Sequence, residues 1–274
     1  QWAKIHNLKQ AAKTMNFLTE HKIEQHAELT AKITEVTKAS EQAADSLKEV
    51  EKRLTDMTLL IKNIKMPLGT AIRARRSIRK MTDAAMTIED LSTILYYADG
   101  VTGELTLQSG EKDPLALNTL GDNCNATLRS APSGGGLFPI TLYMVLRNVN
   151  DVDDGVYYYL PLEHSIRLVK KLDGNLEDDI NHVAEWGINI EQKKINVIIF
   201  YVYSLYNNSR KYSDMAYDFA MVEVGQISEN IQLTCTAEGI ASCDIGGFEK
   251  YKCENFLEID GLTKNIVNVT IIGK

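Results

Sequence analysis

The stretch Leu128–Leu146 reads LRSAPSGGGLFPITLYMVL, with three consecutive glycines between a Pro-Ser pair and an apolar, β-branched run. Such a run is strand-like. Gly134, Gly135 and Gly136 ahead of it present backbone with no side chain in the way. They do not make a phosphate loop, because the G-x-x-x-x-G-K-[ST] spacing and its lysine are missing. They do not fit the G-x-G-x-x-G dinucleotide fingerprint either. Alone, a glycine triplet reads as a loop between two elements. Whether a flat group comes up against it depends on the rest of the chain.

The bulk composition narrows the classes. With 274 residues the chain suits one large domain, or one domain with an appendage. A net charge of −7 disfavours a general nucleic-acid binder, which carries a basic face. The longest apolar runs, such as INVIIFYVY, are too short to span a bilayer, so no membrane association is expected. The chain starts at Gln1 without an apolar signal region, which reads as a trimmed chain. Cys124, Cys235, Cys243 and Cys253 include no C-x-x-C pair and no histidine at metal-ligand spacing. They read as reduced thiols of a cytoplasmic protein with no metal site. The N-x-[ST] matches at Asn125, Asn207 and Asn268 are then chance matches.

Two unlike parts follow one another. Residues 1–66 contain neither Pro nor Gly, and KMPLG ends that run at Pro67. Leu29, Ile33, Val36, Ala43, Leu47, Val50, Leu54, Met57 and Ile61 step by four and three, with the one missing step on Ser40. That is a heptad seam, and it predicts a helical, coiled-coil-like arm over residues 1–66. From residue 67 to 274 the pattern is α+β. TIEDLSTILYYADG has Thr87 as N-cap, Asp90 three residues on and a Gly100 stop, so it is a helix. ITLYMVLRNV and GVYYYLP are strands joined by the turn NDVDDG, whose spacing does not make a calcium loop. LEDDINHVAEWG reads as a helix, KINVIIFYVY as a buried strand, AYDFAMVEVGQISENIQLTCTAEGI as a long central helix and NIVNVTIIGK as a closing strand. Sheet packed between helices is the architecture this order predicts.

Arg73, Arg75, Arg76 and Arg79 crowd the segment RARRSIRK, with Ser77 among them. Like charges so close are costly unless an anion lies nearby. The alternative is a solvated basic turn, but in an acidic chain four arginines in seven residues suggest the phosphate of a ligand. Guanidinium groups for a phosphate and bare backbone for a flat ring together suit flavin mononucleotide (FMN). A second bare pair, Gly246-Gly247 in DIGGFEKY, follows the central helix.

In order along the chain stand RRSIR, PSGGGLFPITLYMV, GVYYYLPLEH, RKYSDMAYDFAMVEVGQISENIQLTCTAEGI and IGGF. This series resembles the nitroreductase superfamily, and most closely its SagB-type dehydrogenases, which include azoline oxidases. The resemblance spans residues 67–274. It implies FMN as cofactor and a homodimer with FMN at the interface. It further implies that Arg75, Arg76, Ser77 and Arg79 hold the phosphate and ribityl, that Pro132, Ser133, Gly134 and Gly135 line the ring from one chain, and that Gly246 and Gly247 approach from the partner. Lys274, in the terminal IIGK, is a further phosphate contact under this resemblance. The azoline oxidases carry a Lys-Tyr pair ahead of the central helix, and Lys211-Tyr212 matches it as the base that the acidic ring carbon needs. The chain departs from the family at Tyr217-Asp218, where Tyr-Arg is frequent, and at Gly225-Gln226, where Gly-His is. Residues 1–60 separately resemble a helical segment of mobile-element relaxases, without a tyrosine nucleophile, since the first tyrosine is Tyr96.

Three functions stay open on these residues. One is dehydrogenation of an azoline-like ring on a peptide or small molecule. The second is nitro or quinone reduction with NAD(P)H as electron source, and the third is a non-catalytic flavin-binding assembly domain. Lys211-Tyr212 favours the first, though RKY can equally be a surface loop. His6, His21, His26, His164 and His182 do not cluster with carboxylates or cysteines and read as packing or surface groups, and Trp186 reads as core. The loop Thr102–Asn123, where substrate selectivity would lie, has no readable code.

Overall fold

In a computed structural model of the chain, the structure describes residues 30–45, 47–48, 53–107, 124–172, 191 and 194–274, together with Lys13 and Met15. It divides into two units, residues 1–53 and 54–274. In the first, residues 30–45 are helical, and Ile33, Val36 and Leu47 of the seam are exposed.

The second unit is built on a seven-stranded sheet, whose strands are β1 (Leu54–Asp56), β4 (Ile140–Leu146), β5 (Gly155–Leu160), β6 (Ser165–Lys171), β7 (Val197–Ser204), β8 (Ala241–Asp244) and β9 (Lys264–Gly273). Their order is β1-β6-β5-β4-β7-β9-β8, and every neighbouring pair runs antiparallel. β2 (Val101–Leu107) and β3 (Cys124–Arg129) form a separate two-stranded ribbon.

β7 shows why helices cover both sides of the sheet. All eight of its residues are buried, as a central strand requires. Val197, Ile199, Tyr201 and Tyr203 face one core, and Ile198, Phe200 and Val202 face the other. On the first side lie α2 (Ile88–Asp99) and α4 (Ala216–Ala237); on the second lies α5 (Lys250–Phe256). The helix of Thr87 starts with the expected capping box: Asp90 N–H donates to Thr87 Oγ1 at 3.1 Å, and Thr87 N–H donates to Asp90 Oδ2 at 3.3 Å. It ends at Gly100, where an added Cβ would stand 2.5 Å from the Tyr96 carbonyl. α4 buries Ala220, Val224, Ile227, Ile231 and Cys235, one stripe at helical spacing. Burying such side chains contributes roughly 1.5–3 kcal/mol each for the larger ones.

The seam's heptad spacing breaks down near its end. Leu54–Asp56 is strand β1 on the sheet edge, and Met57 is fully buried in the core. The stepped positions Leu54, Met57 and Ile61 thus follow helical spacing without being helical. Asp56 makes the local turn, its Oδ1 accepting from Thr58 N–H at 2.8 Å, and Met57 N–H donates to the His164 carbonyl at 3.1 Å. Edge pairing and core burial outweigh propensity here. The unit boundary therefore falls after Arg53 rather than after Met66.

α1 (Leu68–Ala74) and α3 (Leu205–Tyr212) complete the unit. The helix expected over LEDDINHVAEWG, with His182 and Trp186, lies outside the described residues. Cys235, Cys243 and Cys253 are free, buried thiols. Among the described residues no helix is long and apolar enough to cross a membrane.

Candidate functional site

The glycine loop is a tight, irregular bend. Gly135 and Gly136 both have φ of 65°, and Phe138 has φ of 46°. Gly136 N–H donates to the Ser133 carbonyl at 3.0 Å, and Phe138 N–H donates to Ser133 Oγ at 2.9 Å. Ser133 thereby closes the bend on itself, while Pro132 and all three glycines are exposed.

Lys211 and Tyr212 lie on α3 rather than in a loop, and they come up against this bend. A Cβ on Gly135 would stand 2.5 Å from the Tyr212 hydroxyl and 3.0 Å from Lys211 Nζ. A Cβ on Gly134 would meet Tyr212 and Phe219 at 3.6 Å. The Tyr212 ring packs edge-on against Phe219, centroids 4.8 Å apart, and Lys211 Nζ is 5.6 Å from the Tyr212 ring centroid. α3 is fastened from below. Tyr203 O–H donates to Asn208 Oδ1 at 3.0 Å, and Asn208 Nδ2 donates to the Ala216 carbonyl at 2.8 Å. Gly135 and Tyr212, 77 positions apart in sequence, thus share one corner, and glycine is required there by both φ and space.

The arginine segment and the start of the second glycine pair are linked elsewhere, through Ser228 and Gln232 of α4. After α1 the chain runs alongside β8, with Ile78 N–H donating to the Ser242 carbonyl at 2.9 Å. Arg75 Nη1 donates to Gln232 Oε1 at 3.0 Å. Gln232 Nε2 in turn donates to Asp244 Oδ2 at 3.2 Å, and Asp244 also accepts from Ser228 Oγ and Thr270 Oγ1, both at 2.6 Å. Asp244 immediately precedes Ile245-Gly246-Gly247. One buried polar network therefore fixes both Arg75 and the start of that glycine pair. Arg76 turns its guanidinium onto the carbonyls of Arg73 and Arg75, at 3.0 and 2.7 Å. Ser77 and Arg79 face Cys243, where they offset the upward push that burial gives its thiol.

The donor set fits a phosphate. Among the described residues no carboxylate forms an ion pair with Arg73, Arg75, Arg76 or Arg79. Gly246 and Gly247 are exposed, and nothing lies within 4 Å of a Cβ added at Gly246. The bare glycine bend fits the approach of a flat ring. Lys274 stands differently. Its Nζ is 2.6 Å from Asp90 Oδ2, beside Lys62, and the two ammonium groups outweigh burial to hold Asp90 down at about 2.

Several buried polar neighbours of these clusters have no motif. Glu223 and Gln232 occupy stripe positions of α4 where apolar residues belong. Asp99 and Arg129 form a buried ion pair at 2.7 Å, with the Arg129 guanidinium 4.0 Å from the Phe138 ring centroid. Burial pushes Asp99 up to about 6 against the pull of Arg129, and pushes Glu223 up to about 7. The available signal was polar residues at core spacing on an otherwise apolar helix.

Comparison with known proteins places these features in a family. The model described as the nitroreductase family matches residues 72–274. A provisionally named nitroreductase of Methanocaldococcus jannaschii is 29% identical over 185 residues, covering 68% of this chain and 81% of the relative. Among solved structures, a nitroreductase-named protein of Ralstonia eutropha superposes with a TM-score of 0.60 at 18% identity, over 81% of this chain and 89% of its own. A chain of the Escherichia coli microcin synthetase McbBCD complex, solved with truncated pro-MccB17 bound, gives 0.56 at 19% identity, over 78% of this chain and 74% of its own. These two likenesses concern the fold.

Proposed function

The chain belongs to the nitroreductase family, a family of FMN-dependent oxidoreductases, and from that footing we propose that it is a SagB-type dehydrogenase. Its substrate is an azoline-like ring on a peptide or small molecule, and it works as a homodimer with FMN at the interface. The observation that carries this reading is the contact of Lys211 and Tyr212 with Gly134 and Gly135. Bound FMN supplies a hydride acceptor. The chain's own part is to take the proton from the neighbouring ring carbon, and Tyr212 with the Lys211 amine beside it is a base of the required kind. Arg75, Arg76, Ser77 and Arg79 are proposed for the phosphate end, and Gly246 and Gly247 for close approach to the ligand; Lys274, whose ammonium is taken by Asp90, is left out of it.

The spacing of the two clusters supports the dimer. Phe219 at the glycine bend and Gln232 at the arginines are thirteen residues apart on α4, about 20 Å at 1.5 Å per residue. In a dimer, the arginines of one protomer and the glycine bend of its partner form one site. Exposed Leu68 and Ile72 on α1, with Met215, Phe219 and Val222 beside or on α4, supply apolar surface for that contact. The exposed apolar side chains of Ile33, Val36 and Leu47 support a coiled-coil arm, and the free thiols support a cytoplasmic setting.

The name of the Methanocaldococcus jannaschii relative supports a second reading, nitro or quinone reduction driven by NAD(P)H. Incubating the flavin-loaded protein with a thiazoline peptide in air separates the two. The proposal expects a product lighter by two hydrogens by mass spectrometry, formed without NAD(P)H. Turnover of a nitroaromatic with NAD(P)H, and none of the thiazoline, would establish the second reading instead.

A further inference from the structure

Glu223 is 3% exposed, on α4 one turn beyond Phe219. A buried carboxyl is expensive and persists where its hydrogen bonds are satisfied. The Ser133 hydroxyl and the Ile140 backbone N–H, which bracket the glycine bend at its two ends, act on it as nearby donors that favour its charged form against burial. Ser133 Oγ already accepts from Phe138 N–H at 2.9 Å, so its own proton is available to the carboxyl. The bend has few other ties. Positive φ at Gly135, Gly136 and Phe138 keeps it out of any ladder, and it joins strand β4 only at Ile140.

We propose that Glu223 is a positioning residue: from inside the fold it grips Ser133 and Ile140, and through them sets Gly134 and Gly135 against Lys211 and Tyr212. The proposal rests on the reading of this bend as the ring-facing part of the flavin site. Both partners donate, so the ionised carboxylate grips best, and taking up a proton removes one acceptor position. The charged groups around it are Asp99 on α2 and Arg129 on β3, with Tyr159 on β5 next to Asp99. Asp99 Oδ1 and Arg129 Nε find no hydrogen-bond partner among the described residues, so this ion pair leaves polar atoms unsatisfied inside the fold. Burial and the Asp99 charge both favour protonation of Glu223, which puts its titration near neutral pH. The grip on the bend therefore changes within the range where a flavoenzyme works.

The test uses the full chain loaded with FMN and reads the visible circular dichroism of the flavin from about pH 6 to about pH 8, together with FMN affinity by fluorescence titration. In the parent the dichroism titrates across this range. Glu223→Gln abolishes the titration, and Glu223→Gln and Ser133→Ala each weaken FMN binding by roughly tenfold. The double variant is no weaker than either single one, because both remove the same link. If Glu223→Gln keeps the parent's titration and affinity, or if the two effects multiply, the proposal is overturned. Should Glu223→Gln fail to fold, Ser133→Ala decides alone, since loss of the pH response supports the grip and its retention overturns it. Gly135→Ala separates this from the underlying reading. If it too leaves the dichroism unchanged, the bend does not face the flavin at all; if it alters the dichroism while Glu223→Gln does not, only the positioning role is lost.

Discussion

Gly135 and Gly136 provide a matched pair of perturbations. Both have φ of 65°, so alanine at either position costs the left-handed backbone penalty, roughly 1–2 kcal/mol. Their surroundings differ. A methyl at Gly136 meets nothing within 4 Å, whereas one at Gly135 lands 2.5 Å from the Tyr212 hydroxyl and 3.0 Å from Lys211 Nζ. Ordinary contact begins near 3.5 Å, so Tyr212 must retreat by about 1 Å. Its ring is backed by Phe219 at 4.8 Å, which limits a simple swing. The backbone penalty lowers the unfolding midpoint of both variants by roughly 2–8 °C, at about 2–4 °C per kcal/mol for a protein of this size. A displacement of about 1 Å at a reacting group costs on the order of 10²-fold in rate. Gly135→Ala should therefore lose about that much substrate-driven flavin reduction, and Gly136→Ala should stay within a few-fold of the parent. Thermal unfolding and stopped-flow reduction read the two effects separately. Equal rate losses in both variants would refute the contact between the bend and the Lys-Tyr pair as the cause.

Other consequences can be checked independently. Heating the parent should release FMN and not FAD. Arg75→Ala combined with Arg79→Ala removes two charge-assisted phosphate contacts, each worth roughly 1.5–3 kcal/mol, so FMN affinity should fall well over tenfold; unchanged occupancy would defeat the phosphate assignment. His164 is held between Ser92 Oγ at 2.8 Å and the Tyr159 hydroxyl at 2.7 Å, and burial lowers its pKa. The unfolded chain then takes up this proton first, so stability is complete above about pH 6.5 and declines as pH falls through that value toward the lower folded one. His164→Gln should flatten that decline in denaturant titrations, and a slope equal to the parent's would show that other groups cause it.

Much of the fold was legible because its signals are local. Thr87, Asp90 and Gly100 bound a helix by capping chemistry, and the continuous apolar run of β7 marks a strand buried on both faces. The arm's end was not legible, because Leu54, Met57 and Ile61 keep helical spacing while the sheet edge and the core claim two of them. α3 was not legible, since NNSRKY has weak helical propensity and is held by Tyr203 and Asn208, a tertiary tie. The ribbon of β2 and β3 was hidden in a segment of mixed polar residues. At the site, the motifs located the arginines and glycines. Which groups share a corner depended on long-range packing, and so did the buried partners Glu223, Gln232 and Asp244 that hold them.

The most direct measurement of the proposed chemistry is anaerobic single-turnover reduction of the bound flavin by a thiazoline peptide, followed by loss of the oxidised flavin absorbance. The parent should bleach, and Lys211→Ala should bleach roughly 10²–10⁴-fold more slowly, the cost of removing a general base. Reduction by dithionite, which needs no protein base, should be the same in both. Reduction of both proteins by the peptide at one rate, or bleaching by NAD(P)H and not by the peptide, would contradict azoline oxidation at the Lys211-Tyr212 corner.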